Sequence, residues 1–267
     1  MSIKAIVLAG GYAKRLWPLT KELAKPLVDV GGRPVISYIL AALDKSKHIS
    51  EILISTNAKF EDAFNKWLAT QNASGASSAA PRQALLGSGF SKPVNVVAEP
   101  TMAEGEKLGA IGGINFVFDS QNITDEVLII GGDNLIGIDI SKIINEFAAK
   151  GAPHVGVYDI KNREKVKQLG EVTINSDRKI IRFREKPEQP ETTLISTACY
   201  LFPAGIRVQI KNYLSSGGNK DAPGYFVKWL AERTDVYAHV FDSYWFDIGD
   251  HETLEKAREF ARINLIK

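Results

Sequence analysis

The sequence predicts an α/β protein: a doubly wound mixed sheet whose second half turns to an α+β arrangement. Two observations carry this. As far as residue 150, apolar β-branched runs alternate with stretches of helical spacing. Beyond it, a hairpin pattern, a long strand and two neighbouring helical stretches replace the alternation. We read residues 1–267 as a single domain, with one portion over residues 1–150 and another over residues 151–267.

Residues 3–9 (IKAIVLA) have the continuous apolar character of a strand covered on both faces. Over residues 34–47, Val35, Ile36, Ile39, Leu40 and Leu43 recur at helical spacing behind Pro34, which suits a first turn. Residues 51–56 form a strand and 60–68 a helix. Residues 70–92, rich in Ser, Ala and Gly, break the rhythm and predict a surface loop or a lid near the ligand. The alternation resumes with strand 94–98, helix 106–118, strand 126–130, helix 141–149 and strand 154–159. A hairpin over 170–175 and 179–184 turns at Ser176-Asp177. Strand 194–202, helices 204–214 and 224–233, strand 236–241 and helix 252–266 complete the chain.

The 45% apolar and 24% charged residues are ordinary for a globular protein. A net charge of +2 offers no basic stripe and argues against a nucleic-acid partner. No apolar run approaches the roughly 18 residues of a membrane span. Cys199 is the single cysteine, so no intrachain disulfide forms, which fits a reducing compartment. The amino terminus enters a strand with no leader-like segment. Together these features lead us to expect a cytoplasmic protein.

Four clusters at predicted strand ends carry chemistry, where ligands bind in open α/β sheets. The first is Gly10-Gly11-Tyr12-Ala13-Lys14-Arg15. Glycines after a strand let backbone N–H groups approach a ligand, and the arginine fork suits phosphate oxygens. The segment is neither a P-loop nor a G-x-G-x-x-G turn, and alone it reads equally as a tight turn. The second is Asp133 in Gly131-Gly132-Asp133-Asn134, a carboxylate that suits a magnesium ion or a helix cap. The third is Asp247 in Tyr244-Trp245-Phe246-Asp247-Ile248-Gly249, an acid whose apolar setting demands a cation or donors. The fourth is Arg184-Glu185-Lys186-Pro187, able to take sugar hydroxyls and a phosphate, or to stand as a solvated charge pair. Lys25-Pro26 repeats this pattern in miniature. The four histidines show no metal-ligand spacing, and Cys199 sits in an apolar strand as a core thiol.

Taken together and in this order, the clusters resemble the sugar-1-phosphate nucleotidylyltransferases, with the glucose-1-phosphate thymidylyltransferases and their uridylyl relatives the nearest pattern. That family shows L-A-G-G-x-G-[ST]-R-L-x-P-L-T, K-P, G-D-N, E-K-P and W-x-D-x-G. This chain has Leu8 to Thr20, Lys25-Pro26, Gly132-Asp133-Asn134, Glu185-Lys186-Pro187 and Trp245 to Gly249. The resemblance implies a Rossmann-like, nucleotide-diphospho-sugar transferase-like fold, with nucleotide-binding and sugar-phosphate-binding portions. It implies magnesium-dependent transfer of a nucleotidyl group from a nucleoside triphosphate to a sugar 1-phosphate. Glucose 1-phosphate with dTTP or UTP is the favoured pair. Mannose 1-phosphate with GTP, or another pair of triphosphate and acceptor, is an alternative, and so, in another class, is a non-catalytic nucleotide-sugar sensor or regulatory subunit.

By the same resemblance Arg15 and Lys25 are catalytic. Leu8, Gly10, Gly11, Arg15, Glu99 and Asp133 bind nucleotide. Gly170, Glu185, Lys186, Thr197 and Trp245 bind the sugar phosphate, and Asp133 and Asp247 hold the metal. A homo-oligomer is also implied, though no interface is readable in the residues. Four departures stand out. Ala13 replaces a glycine, Lys14 replaces a small hydroxyl residue beside the triphosphate, and Cys199 departs from the family residue there. Glu99 stands where a base-reading glutamine is expected, and a carboxylate cannot donate as an amide does.

Overall fold

The computed structural model describes residues 2–73 and 89–265. It is a mixed α/β structure of two compact units, each assembled from separated stretches of chain. One comprises Ala5–Lys107, Gly131–Gly137 and Tyr244–Lys267, and the other Met1–Lys4, Leu108–Ile130 and Ile138–Ser243.

In the first unit the Ala5–Leu8 part of β1 (Ile3–Leu8), β2 (Ile49–Asn57) and β3 (Val94–Glu99) are neighbours in that order. β2 and β3 pair in parallel, from Ile52 opposite Val94 to Asn57 opposite Glu99. The apolar run of β1 is buried as a doubly covered strand should be, with Ala5, Ile6 and Val7 fully inside. α1 (Val35–Lys45) starts directly behind Pro34 and buries the predicted face of Val35, Ile36, Ile39, Leu40 and Leu43. α2 (Ala58–Ala73) starts where the Asn57 side-chain oxygen accepts from the Phe60 N–H at 3.2 Å. α8 (His251–Asn264) is closed by a capping box between Asp250 and Thr253. It buries Leu254, Ala257 and Ala261 against Leu16, Val28, Val35, Leu135 and Ile248. That apolar seam brings segments from both ends of the sequence together.

The second unit carries the strand order β10 (Tyr237–Phe241), β6 (His154–Asp159), β9 (Leu194–Phe202), β4 (Val127–Gly131). β10 and β6 are parallel, and β9 runs antiparallel to β6 and β4, so the sheet is mixed. β7 (Gly170–Ile174) and β8 (Ile180–Glu185) form the predicted hairpin, with Gly170 opposite Glu185. α4 (Ile140–Lys150) is delimited by Asp139, which caps the Ser141 and Lys142 N–H groups, and by Gly151 at φ 63°. α5 (Arg163–Val166) is a single turn, and α6 (Ile206–Ser215) and α7 (Pro223–Ala231) match the two late helices. Among the described residues no helix is long and apolar enough to cross a membrane.

Three expectations need correction. The helix expected over residues 106–118 begins only at Gly109, as α3 (Gly109–Ser120). Gly109 has φ +76°, off the helical path, and residues Glu104–Glu106 form a separate 3₁₀ turn. The break expected from residue 70 starts later, because α2 continues to Ala73. Residues 74–88, the body of the expected loop or lid, lie outside the described residues. Finally, β5 (Asn134–Ile136) and β11 (Trp245–Asp247) form an antiparallel ladder that the sequence did not announce.

His154 supplies a pH-dependent element of this fold. It is 2% exposed, between Phe147 and Tyr237, and its Nδ1 donates to the Ala152 carbonyl at 2.8 Å. Burial lowers its pKa, against the hydrogen bond to Ala152 and the charge of Glu146, which raise it; His239 and Lys150 lower it further. The folded chain therefore binds this proton less readily than the unfolded one. This contribution to stability is complete above the unfolded value of about 6.5 and is lost as pH falls below it. We expect the urea midpoint to fall between about pH 7.5 and pH 5.5, and to fall less steeply in His154→Phe.

Candidate functional site

β1 runs out at Leu8, and its loop is anchored on both sides. The Ala9 N–H donates to Ser55 O at 2.7 Å, and the buried Asn57 side chain donates to Gly10 O at 3.0 Å. A Cβ on Gly11 would meet nothing within 4 Å, so protein packing does not require that glycine, and its bare backbone is open to a ligand. Ala13 sits in the left-handed region, at φ 44° and ψ 47°. The conformation usually given to glycine is thus retained at the cost of Cβ strain. Thr20 Oγ1, donating to Ala13 O at 2.8 Å, helps hold it. We expect Ala13→Gly to stabilise the fold by roughly 0.5 kcal/mol, the relief of about 1 kcal/mol being partly offset by the extra freedom of the unfolded glycine. A higher urea midpoint would show it.

Lys14 and Arg15 follow in a 3₁₀ turn, Lys14–Leu16. Lys14 is ion-paired with Glu104, so the extra charge expected beside a triphosphate is matched from within the protein. The Arg15 guanidinium lies over Gly249: a Cβ there would come within 2.9 Å of its Nη2. The glycine of W-x-D-x-G is therefore the seat of this arginine.

The G-D-N segment follows β4 in the chain and belongs to the first unit. Gly132 N–H donates to Leu8 O at 2.8 Å, and a Cβ on Gly132 would stand 2.9 Å from that oxygen. Leu8 thus contributes a backbone carbonyl that fixes the strand end carrying Asp133. The Lys25 side chain is 11% exposed, and its Nζ reaches Asp133 Oδ2 at 2.6 Å and Asp247 Oδ1 at 3.7 Å. Burial works against its charge, but the two carboxylates outweigh that and raise its pKa above the ordinary lysine value. Asp247 ends β11, opposite Asn134 of β5. Withdrawal from water and the neighbouring Asp133 charge push its carboxyl above the usual range, while Lys25 and Arg15 pull the other way.

Two carboxylates held together with one ammonium between them form a site of net negative charge. Among the described residues no third His, Cys, Asp or Glu joins them as a ready-made metal cluster. A hard divalent cation bound by these two would complete its shell from substrate oxygens and water, the habit of magnesium rather than calcium. Burial, and after it the Asp133 charge, disfavour the ionised Asp247 carboxyl, and a cation bound there would offset both, so the donor set fits.

Glu99, at the end of β3, is 7% exposed and accepts from Thr101 Oγ1 at 3.0 Å. Trp245, read by resemblance as a sugar-phosphate residue, lies in the first unit with Arg15, Lys25, Asp133 and Asp247. Its indole N–H is taken by Asn134.

Gly170, Glu185, Lys186 and Thr197 lie in the second unit. A Cβ on Gly170 would come within 2.6 Å of the Phe183 ring and 3.1 Å of Glu185 Oε2, and one on Gly224 would collide with the Glu185 carboxylate. The carboxylate therefore rests on two bare stretches of backbone. Burial raises its pKa and Lys186 opposes the rise. Lys186 is exposed, at φ 47°, with its N–H donating to Leu169 O at 2.9 Å. Thr197 is 1% exposed, and its hydroxyl proton goes to Gly156 O at 3.0 Å. The register of this hairpin is secured by Glu171, 1% exposed, which accepts from the Arg184 guanidinium and from the Thr192 N–H at 2.7 Å. Cys199 is the expected core thiol, with burial pushing its pKa up to about 12.

Asn57, Gly132, Asn134, Gly224 and Gly249 place the groups above and were given no role from sequence. Gly132, Asn134 and Gly249 lie within the quoted motifs, which was the available signal. Asn57 and Gly224 carry none.

The profile of the nucleotidyl transferase family matches residues 4–263. A protein from Sulfolobus acidocaldarius that bears the name of a mannose-1-phosphate guanyltransferase is 27% identical over 265 residues, covering 98% of this chain and 62% of that protein. A glucose-1-phosphate adenylyltransferase from Bacillus cytotoxicus is 31% identical over 265 residues, covering 95% and 66%. The chain thus spans a little under two thirds of the length of these relatives. Among solved structures, a UDP-glucose pyrophosphorylase complexed with UDP-glucose superposes with a TM-score of 0.79 at 18% identity, over 97% of this chain and 98% of that one. That likeness is one of fold.

Proposed function

The chain belongs to the nucleotidyl transferase family, and from that premise we propose that it transfers a nucleotidyl group from a nucleoside triphosphate to a sugar 1-phosphate. An oxygen of the sugar phosphate attacks the α-phosphorus, the bond to the β-phosphate breaks, and pyrophosphate leaves. The observation that carries this reading is the gathering of Arg15, Lys25, Asp133 and Asp247 in one unit, from four separated motifs.

Phosphoryl chemistry of this kind needs positioning and charge neutralisation more than covalent help. The backbone N–H groups of Gly10, which packs on β2, and of Gly11, which stands open, are presented to the nucleotide. Arg15, seated on Gly249, offers its fork to the triphosphate and to the departing pyrophosphate. Lys25 carries a protected positive charge to the α-phosphate. Asp133 and Asp247 would hold a magnesium ion, which supplies Lewis-acid charge on the phosphate oxygens. Lys186 grips the sugar phosphate, and Glu185, whose carboxylate meets no hydrogen-bond donor among the described residues, accepts from sugar hydroxyls above Gly170.

For the substrate pair we favour glucose 1-phosphate with UTP or dTTP, following the motif pattern. The names of the relatives differ in base and sugar, and mannose 1-phosphate with GTP is the rival pair. Pyrophosphate release across five nucleoside triphosphates and a panel of sugar 1-phosphates tests this. The favoured pair should give the highest kcat/KM. A GTP and mannose 1-phosphate maximum would replace that pair without touching the reaction class.

A further inference from the structure

We propose that Trp245 and Asn134 are positioning residues that fix which oxygen Asp133 turns toward its cation, an inference that rests on the metal reading above. The β5–β11 ladder brings the two side chains together across 111 residues of sequence. The Trp245 indole N–H donates to Asn134 Oδ1 at 2.8 Å, and Asn134 Nδ2 donates to Asp133 Oδ1 at 2.9 Å. An indole nitrogen only donates, whereas an amide can turn either end toward a neighbour. The indole therefore selects one amide orientation. Reversing it would set an NH2 against the indole N–H and an oxygen against the carboxylate. Asn134 is 5% exposed, so water offers no cheap substitute for either bond.

The consequence falls on Asp133. With Oδ1 engaged by the amide, Oδ2 is the oxygen turned to Lys25 Nζ, at 2.6 Å, and so to the position of positive charge. The same ladder sets Asp247 opposite Asn134. One short strand pair thereby orients one carboxylate and places the other. Outer hydrogen bonds of this kind hold ligating groups in their working geometry, typically at 10- to 100-fold in metal affinity.

The test uses Mn2+ alone, titrated into metal-stripped protein and followed by electron paramagnetic resonance. Trp245→Phe keeps an aromatic ring and loses the donor; Asn134→Leu loses the amide. Each is expected to weaken Mn2+ binding by about tenfold, and the double variant by no more than Asn134→Leu alone, because both act through one chain of bonds. Trp245→Phe binding within about twofold of wild type, or additive losses, would overturn the relay and leave the metal reading standing. Equal Mn2+ binding by wild type and Asp133→Asn would overturn both. A second readout needs no variant to fold. The Trp245 indole proton resonance of the wild-type protein should move during a Mg2+ titration, and an unmoved resonance at saturation contradicts the proposal.

Discussion

Asp133→Asn and Asp247→Asn are each expected to lower turnover by about three orders of magnitude in a chain that stays folded, equivalent to the loss of about 4 kcal/mol of charge stabilisation. Each replaces a carboxylate oxygen that faces Lys25 by a neutral amide of the same shape. The two should separate in stability. Asp133 holds Lys25 at 2.6 Å, so its loss leaves a buried ammonium short of its nearest partner, at about 1 kcal/mol given that the carboxylate is partly solvated. Asp247 stands 3.7 Å from Lys25 and is opposed by Asp133, so its neutral replacement should cost nothing measurable. Urea unfolding beside pyrophosphate assays separates the two effects. Activity within tenfold of wild type in either variant would remove that residue from the metal site.

Lys25→Met is expected to lower kcat/KM by about three orders of magnitude and also to destabilise the fold. The methionine fills the lysine channel with an apolar stem of similar length, so packing survives and only the charge is lost. Breaking a fully buried ion pair costs about 3–5 kcal/mol. Here Asp133 and Asp247 are 31% and 38% exposed, so water screens part of that, and we expect about 2 kcal/mol. The penalty arises from two carboxylates left facing each other. Added Mg2+ should therefore recover more stability in Lys25→Met than in wild type, where the ammonium already balances them. A Mg2+ response equal to that of wild type would contradict this account of the triad.

The strands and helices with a long apolar period were legible in the sequence. β6 (HVGVYD) and β9 (LISTACYLF) were read with their observed bounds, because short runs rich in apolar and aromatic residues suit a strand of this length. The hairpin over β7 and β8 was legible through its Asn175-Ser176-Asp177 turn. β5 and β11 were not: three residues carry no period, and each is a strand only because the other lies beside it. Likewise Arg15, Lys25, Asp133 and Asp247 were visible one by one, but the 2.6 Å contact that joins two of them spans 108 residues. An asparagine such as Asn57 or Asn134 reads as a turn residue until the fold supplies its partners. Lys14 read as a free charge because Glu104 is remote in sequence. Ala13 was visible as a departure from the motif's glycine, but whether the loop kept the left-handed conformation there was settled only by the fold.

The most direct test of the central claim is the dependence of pyrophosphate release on the sugar phosphate. Wild-type protein is mixed with UTP and Mg2+, with and without glucose 1-phosphate, and then with each other pair of the panel. Nucleotidyl transfer predicts release only when a triphosphate, a sugar 1-phosphate and the divalent cation are present together, with one nucleotide sugar formed per pyrophosphate. Folded protein that binds nucleotide yet releases no pyrophosphate with any pair, or releases it without any sugar phosphate, would contradict the account.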